Sequence, residues 1–158
     1  MSNRPDLSDF LCFSVYSAGS AFTKIYRPLL DALGLTYPQY LVLAALWEAD
    51  GQTVGQIGER LFLESSTLSP VLKRLEAAGH VERRRAQADE RVVQVFLTAQ
   101  GSELGRRAQS IPGCIVEASG MELDELRTLK AALERLRDAL LAAAQTSRPA
   151  STHPASPR

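Results

Sequence analysis

The feature that most constrains the fold is an ordered series of elements between residues 53 and 98. A short helix, TVGQIGERLF, begins at Thr53, and after a tight connection a second helix, SSTLSPVLKRLEAAG, ends at Gly79. The next segment, HVERRRAQADERVVQVFLT, has two valine-rich runs around the polar stretch QADER, which is typical of a β-hairpin. Two helices joined by a tight connection and followed by a hairpin predict a winged helix-turn-helix.

Helices are predicted on the N-terminal side of this series. Residues 7–33 have apolar side chains at helical spacing, and Pro28 predicts a kink or a break near Ile25. After Gly34, Thr36 can cap a further helix that runs through QYLVLAALWEAD.

Helices are also predicted on the C-terminal side. Thr98 can cap a helix that runs through QGSELGRRAQS towards Pro112. A helix with a continuous leucine stripe then runs from Leu123 to about residue 144. The predicted fold class is therefore mainly α with a small β-hairpin wing, a winged helix-turn-helix flanked by N- and C-terminal dimerisation helices.

The chain is long enough for one domain with a real core. Its predicted segments are an N-terminal sensor and dimerisation helix (1–35), the winged helix-turn-helix region (36–98), C-terminal dimerisation helices (99–146) and a disordered Pro/Ser-rich tail (147–158).

Composition excludes several classes of protein. The first ten residues have no apolar signal region, and no apolar run is long enough to cross a bilayer. We therefore expect a cytoplasmic protein with no membrane partner, in which thiols stay reduced. With only two cysteines and two histidines, no metal site and no cofactor are expected. The 18 basic and 18 acidic residues balance, so overall charge gives no evidence about a nucleic-acid partner.

The second helix of the predicted motif has the side chains that a recognition helix needs. Slim polar residues at its start suit base edges in a major groove, while basic residues further along suit phosphates or guanine edges. An arginine at the hairpin tip suits a narrow minor groove. The candidate DNA-binding residues are Ser65, Ser66, Thr67, Ser69, Lys73, Arg74, Arg85, Asp89 and Arg91, with Glu90 also at the tip. Leu68, Val71, Leu72 and Leu75 form the predicted buried side.

Each of these signals is weak when it is taken alone. A serine cluster before an apolar run is often only a helix cap, and a charged run such as ERRRAQADER is often a solvated turn. The ordered combination within about 50 residues is what favours DNA binding. The broad apolar faces of the terminal helices favour a homodimer, which would read a pseudo-palindromic site, although packing within one chain would also account for those faces.

The sequence resembles the MarR family of bacterial winged-helix regulators and, within it, the organic hydroperoxide resistance regulators (OhrR). The resemblance covers residues 8–144. It depends on LCFSVYSA, KIYRPLLDALGLTYPQYLVLAALWE, IGERLFLESSTLSPVLKRLEAAGHVERRR, DERVVQVFLT and IPG. The winged-helix segments are common to the wider family, whereas LCFxxY and LTYPQYLVL are selective for the peroxide-sensing branch.

The resemblance implies that Cys12 is a redox sensor. The family tyrosines that orient the sensor thiolate match Tyr26 and Tyr37, and Tyr16 matches a neighbouring tyrosine. Cys12 and Tyr26 are too far apart along one helix to meet, so contact needs a second chain. Oxidation of Cys12 by an organic hydroperoxide would then release the operator from a repressor, and apolar residues (Phe13, Phe22, Leu35) would favour organic over hydrogen peroxide.

Cys114 leaves two alternatives open. Some members of the family form an intersubunit disulfide with a second cysteine in this region, but Cys114 lies about one helical turn before the expected place. Either the helix shifts on oxidation and Cys114 is the resolving cysteine, or Cys12 pairs with a small-molecule thiol and Cys114 is a core residue.

Three alternatives compete with a peroxide sensor. Cys12 alone would more often be a small buried core residue. A MarR-type regulator could instead be released by a small phenolic ligand in the dimer cleft. A thiol peroxidase is the third, but the sequence has no CxxC motif, so we expect a regulator and not an enzyme.

Overall fold

A computed structural model of the chain describes residues 6–85, 89 and 91–146. A 3-10 helix at Leu7–Asp9 precedes the helices α1 (Leu11–Asp31), α2 (Tyr37–Glu48), α3 (Val54–Leu61), α4 (Ser65–Ala77), α5 (Ala99–Ala108), α6 (Ile111–Ser119) and α7 (Leu123–Thr146), and the strands are β1 (Gln52–Thr53), β2 (Val81–Arg85) and β3 (Val93–Leu97). The fold is mainly helical with a small antiparallel sheet, which confirms the predicted winged helix-turn-helix. The predicted disordered tail, 147–158, lies outside the described residues.

Three threonines begin helices as predicted. The backbone N–H of Thr36 donates to Oε1 of Gln39 at 2.8 Å. Thr53 makes a reciprocal capping box with Gln56, through bonds of 2.8 and 3.1 Å. The hydroxyl of Thr98 accepts from the N–H of Gly101 at 3.0 Å.

The wing is a three-stranded sheet and not only a hairpin. The strand order is β1-β3-β2, and all pairs are antiparallel. Val81 pairs with Leu97 and Arg85 pairs with Val93, so the valine-rich runs do form the predicted hairpin. The additional strand β1 pairs Gln52 with Val95. Two polar residues have no strand periodicity, which is why the sequence did not predict β1.

The first helix differs from its prediction at two points. It begins at Leu11 and not at residue 7, because Phe10 has an extended backbone conformation. It also continues through Pro28 without the predicted break near Ile25. The prediction for the C-terminal side also needs a correction. Helix α5 ends at Ala108, and a separate helix, α6, carries Pro112 in its first turn.

The core lies in the winged-helix region. Its largest fully buried side chains come from α1, α2, α3, α4 and the sheet: Leu30, Val42, Leu43, Leu46, Ile57, Leu68, Leu72, Leu75, Val81 and Val95. The predicted buried side of the recognition helix is therefore confirmed at three leucines, while Val71 is half-buried. Burial of this side fixes which face α4 presents to solvent.

The chain divides into two compact units, Met1–Ile115 and Val116–Arg158. Within the first, α1 has a single buried residue, Leu30, and leaves most of its other large apolar side chains exposed. Within the second, no residue of α7 is buried, and the stripe is exposed at Leu129, Leu133, Leu140 and Leu141. Among the described helices, none has the length and hydropathy needed to cross a membrane.

Candidate DNA interface and thiol site

The start of α4 presents the predicted polar face to solvent. Ser65, Ser66 and Thr67 are exposed in its first turn, and Lys73 and Arg74 are exposed further along. Glu64 is the N-cap residue of α4, and its side chain makes no capping hydrogen bond. Slim hydroxyl groups are thus available on the side of α4 that is opposite the core.

The wing brings a second set of predicted residues to this face. Oδ1 of Asp89 accepts from the backbone N–H of Arg91 at 2.9 Å, which orders the turn before β3. Arg91, Ser65, Ser69 and Arg83 line one cleft of about 480 Å³, together with the first residues of α3. The hydroxyl of Ser69 donates to the Ser65 carbonyl at 2.8 Å. Glu90 lies outside the described residues.

An ion pair joins the wing to the recognition helix. Nε of Arg83 on β2 donates to Oε2 of Glu76 on α4 at 2.9 Å, and the Arg83 backbone N–H donates to Oε1 at 3.2 Å. The hydrogen bonds from Arg83 lower the pKa of Glu76 and raise that of Arg83. The pair therefore keeps its charges at neutral pH and joins β2 to α4.

The next wing residues are held within the sheet or remain exposed. The guanidinium of Arg84 lies 4.7 Å from the ring centroid of Phe96, a cation–π contact across the two strands, and Arg84 also pairs with Glu82. Arg85, the predicted DNA-binding residue of this run, is exposed at the end of β2.

Cys12 lies on α1 and is exposed, so it is not a core residue of its own chain. Tyr16, one turn further along α1, is 73% exposed. Phe13 and Phe22 are exposed on the same helix, whereas Leu35 is buried in the core. The thiol is therefore accessible to a small oxidant in the single chain.

Tyr26 and Tyr37, the two tyrosines that the resemblance assigns to the sensor, lie in contact within one chain. Their ring centroids are 4.8 Å apart, and the ring of Tyr40 lies 5.9 Å from Tyr26 and 6.5 Å from Tyr37. Burial, with contributions from Tyr37 and Tyr40, raises the pKa of Tyr26 to about 12. Burial also raises the pKa values of Tyr37 and Tyr40. All three hydroxyls therefore remain protonated donors at neutral pH.

One chain does not bring the cysteine to these tyrosines. Cys12 and Tyr26 are in the same continuous helix, and the fourteen residues from one to the other span about 21 Å of helix rise. A tyrosine side chain cannot cover that distance. Cys114 is half-buried on α6, and both cysteines are free thiols.

Sequence reasoning missed two aromatic residues of this cluster. Tyr40 is buried, and its ring lies 6.0 Å from that of Trp47 in an edge-to-face contact. The signal was present in YPQYLVLAALW, because Tyr37 and Tyr40 are three residues apart and Trp47 is seven beyond Tyr40, which places all three on one helix face.

The part of the chain that the structure describes contains no group of three or more His, Cys, Asp or Glu side chains that could hold a metal ion.

The recognition helix, the three-stranded wing and the exposed polar face define a winged-helix DNA-binding protein.

Comparison with known proteins agrees with this class. The family model described as "Transcriptional regulator SarA/Rot" matches residues 24–107. The chain is 45% identical over 143 residues to the organic hydroperoxide resistance transcriptional regulator of Bacillus subtilis, covering 89% of this chain and 97% of that one. It is 51% identical over 138 residues to the HTH-type transcriptional regulator TtmR of Methylorubrum extorquens, covering 87% and 71% respectively.

A solved structure gives the same result. The structure of reduced AbfR bound to DNA superposes with a TM-score of 0.70 at 40% identity, covering 85% of this chain and 96% of that one. AbfR, a protein of Staphylococcus epidermidis, has also been solved in a disulfide form. The chain belongs to the MarR/SarA family of winged-helix transcriptional regulators. It is a DNA-binding regulator of the OhrR type and not an enzyme.

Proposed function

We propose that a reduced homodimer of this chain represses transcription in the cytoplasm and releases its operator when an organic hydroperoxide oxidises Cys12. The observation that carries the proposal is the exposed Cys12 thiol on an apolar helix, with Tyr26 about 21 Å further along that helix and Tyr37, at the start of α2, in contact with Tyr26. A second chain that crosses α1 would bring a tyrosine pair to each cysteine.

The DNA interface of the proposal consists of the first turn of α4 and the wing. Ser65, Ser66, Thr67 and Ser69 would meet base edges in the major groove, with Lys73 and Arg74 at phosphates or guanine edges. Arg91, held by the turn at Asp89, would enter the minor groove of the DNA, and Arg85 would contact the sugar–phosphate backbone of the DNA. Two such surfaces in a dimer would read a pseudo-palindromic operator.

The dimer is supported by the apolar side chains that one chain leaves exposed. On α1 these include Leu11, Phe13, Val15 and Phe22, each at least 38% exposed. A cluster of this kind on a monomer marks an interaction surface. Covering it with a second α1 removes it from water and also completes the sensor site.

The chemistry of the sensor is a two-electron oxidation. The Cys12 thiolate attacks the terminal oxygen of the hydroperoxide, the O–O bond breaks, and the alkoxide leaves and takes up a proton to become an alcohol. The sulfur is oxidised to a sulfenic acid. Tyr26 and Tyr37, which stay protonated, donate to the thiolate before the reaction, and they lose this acceptor once the sulfur is oxidised.

The sulfenic acid then condenses with a second thiol and releases water. We propose Cys114 of the other subunit as that thiol, because it is free and half-buried on α6. Electrophoresis without reductant tests this step: a dimer that disappears in Cys114→Ser supports the disulfide, whereas a monomer in both proteins assigns the second thiol to a small molecule.

The first test is operator retardation on DNA from the region upstream of this chain's gene, with one equivalent of cumene hydroperoxide per subunit. We expect release of the wild type and retention of Cys12→Ser. Cys114→Ser is the matched control, since it removes a thiol but leaves the sensor. Equal behaviour of wild type and Cys12→Ser would overturn the proposal.

A second candidate function has one observation in its favour. A cleft of about 460 Å³ between α2 and α5 is lined by Tyr40, Trp47, Arg106 and Gln109, which is a suitable size for a small aromatic ligand. Release of DNA by a phenolic acid such as salicylate, with no response to peroxide, would favour this ligand-sensing function.

A further inference from the structure

We propose that Trp47 is a positioning residue, which couples the tyrosine cluster to the recognition helix and wing through helix α5. The inference rests on the proposed function, because it concerns how oxidation at the sensor changes DNA affinity. It assigns a role to three residues outside the sensor and the DNA interface: Tyr40, Trp47 and Gly101.

The first step of the coupling is aromatic. Tyr40 is only 8% exposed and contacts both sensor tyrosines on one side and Trp47 on the other, with a Tyr40–Trp47 centroid distance of 6.0 Å. These ring contacts link the four side chains, and the cleft beside Tyr40 and Trp47 leaves both rings room to shift together. A change in the positions of Tyr26 and Tyr37 therefore displaces Tyr40, and with it the indole.

The second step joins Trp47 to α5. Its indole Nε1–H donates to the carbonyl oxygen of Gly101 at 2.9 Å. One turn further along α5, a Cβ on Gly105 would lie 2.9 Å from the indole nitrogen. The indole thus lies directly on the helix backbone, and glycine is needed at position 105 for this approach. Motion of the ring is transmitted to α5 through both contacts.

The third step joins α5 to the DNA-binding elements. A Cβ on Gly101 would lie 2.0 Å from the carbonyl oxygen of His80, so α5 packs backbone to backbone against the segment between α4 and β2. The Thr98 hydroxyl donates to the Gly79 carbonyl at 2.6 Å, and the Thr98 N–H donates to the His80 carbonyl at 3.1 Å. The start of α5 is therefore fixed to the end of the recognition helix and to the start of the wing.

These three steps form one contiguous chain of contacts within the first compact unit. In the reduced state the tyrosines hold the indole on α5 in the arrangement that binds DNA. After oxidation the tyrosines have lost the thiolate, the indole shifts, and α5 carries α4 and β2 with it. The two states thus differ in contacts that can be removed one at a time.

The experiment measures operator affinity by fluorescence anisotropy of labelled upstream DNA, before and after oxidation of the full-length protein with cumene hydroperoxide. The rate of Cys12 thiol loss is measured in parallel. Trp47→Phe keeps an aromatic ring and removes the donor to Gly101. Tyr40→Leu removes the ring contacts, and Tyr40→Phe is its matched control because it keeps them.

We expect normal rates of thiol oxidation in Trp47→Phe and Tyr40→Phe. The ratio of the oxidised to the reduced dissociation constant should fall about fivefold in Trp47→Phe, because about fivefold in an equilibrium constant is what one hydrogen bond contributes. It should also fall in Tyr40→Leu and stay at the wild-type value in Tyr40→Phe. A merely structural role would lower both affinities together and leave the ratio unchanged.

Wild-type protein gives an independent readout, because Trp47 is its only tryptophan. Its emission should change on oxidation, and should not change in peroxide-treated Cys12→Ser. An unchanged ratio in both folded variants, or unchanged emission in a wild type that releases DNA, would overturn the coupling and leave the proposed function standing. A wild type that keeps its DNA after oxidation would overturn both.

Discussion

Arg83 binds Glu76 through both its guanidinium and its backbone N–H, at 2.9 and 3.2 Å. One side chain of the recognition helix therefore holds strand β2 of the wing at two points. The pair links the recognition helix to the wing, although neither partner was a candidate DNA-binding residue.

Glu76→Gln should lower the free energy of unfolding by up to about 1 kcal/mol at pH 7, the upper range for a partly exposed pair. The hydrogen bonds from Arg83 lower the pKa of Glu76, so its stabilising contribution is full above the ordinary carboxyl range and is lost as the pH falls through the lowered value. Urea unfolding at pH 7 and pH 4 measures the difference. Asp31→Asn, which breaks an exposed pair with Arg27, is the control that should show almost none.

His80 should make the protein less stable in mild acid. The side chain is buried, its Nδ1 has no hydrogen-bond partner in the described part of the chain, and burial lowers its pKa. An unfolded histidine takes up a proton near pH 6.5 and the buried one does not, so stability falls as the pH drops below that value, by about 1.4 kcal/mol per unit of pKa difference.

The test compares urea unfolding of wild type and His80→Gln between pH 7.5 and 5.5. We expect the wild type to lose more stability over this range. His153 is present in both proteins, so its titration cancels. Parallel pH profiles would show that His80 does not carry this dependence.

Two glycines with the same backbone conformation should respond differently to alanine. Gly34 has φ of +69°, and no atom lies within 4 Å of the position that a Cβ would take, so Gly34→Ala should cost only the left-handed strain of about 1–2 kcal/mol. Gly51 has φ of +72°, and its Cβ would lie 2.8 Å from the Phe96 ring, which adds about 1–3 kcal/mol of overpacking. Urea unfolding of the two variants measures the gap, and equal losses would contradict it.

Phe22→Asp should convert the proposed dimer into a folded monomer. The side chain is 47% exposed in one chain, so the aspartate disturbs little there, but it places a charge in an apolar interface. Sedimentation velocity measures the change, and operator binding should be lost with the dimer. Phe62→Asp is the control, because Phe62 is similarly exposed, follows α3 and not α1 in the chain, and has φ of +55°, which aspartate tolerates. A dimer that persists in Phe22→Asp would contradict the assignment of this face.

Arg91→Ala should weaken operator binding and lower the slope of log affinity against log salt by about 1, because one cation leaves the interface. Arg27→Ala removes the same charge from α1 and should leave that slope unchanged. The measurement is anisotropy at several salt concentrations. An unaltered slope in Arg91→Ala would place the arginine outside the DNA contact.

Most of the fold could be predicted from local signals. Thr53 and Thr98 mark helix starts through capping that depends only on the next three residues, and the valine runs show their hairpin by alternation. The strand Gln52–Thr53 could not be predicted, since it exists only because it pairs with β3, more than forty residues away. Pro28 shows the opposite case: its local preference predicted a kink or a break, and α1 continues through it to Asp31 without a break.

The site was less accessible to sequence reasoning. The residue types of the DNA face are readable because α4 has one apolar side, and the exposed positions follow from it. The contact of Trp47 with Gly101 joins residues 54 positions apart, and no periodicity encodes such a pair. The small volume of glycine at 101 and 105 is visible in the sequence, but its reason appears only when the neighbouring backbone and indole are in place.

The exposed apolar face of α1 has a consequence for how such a regulator responds to its own abundance. Covering that face in a dimer makes part of each chain's stability a function of how many chains are present, by mass action. The melting temperature of the proposed repressor then rises with protein concentration. Low expression would leave uncovered chains that are open to proteolysis, so the cell would set its threshold for repression by synthesis rate as well as by peroxide.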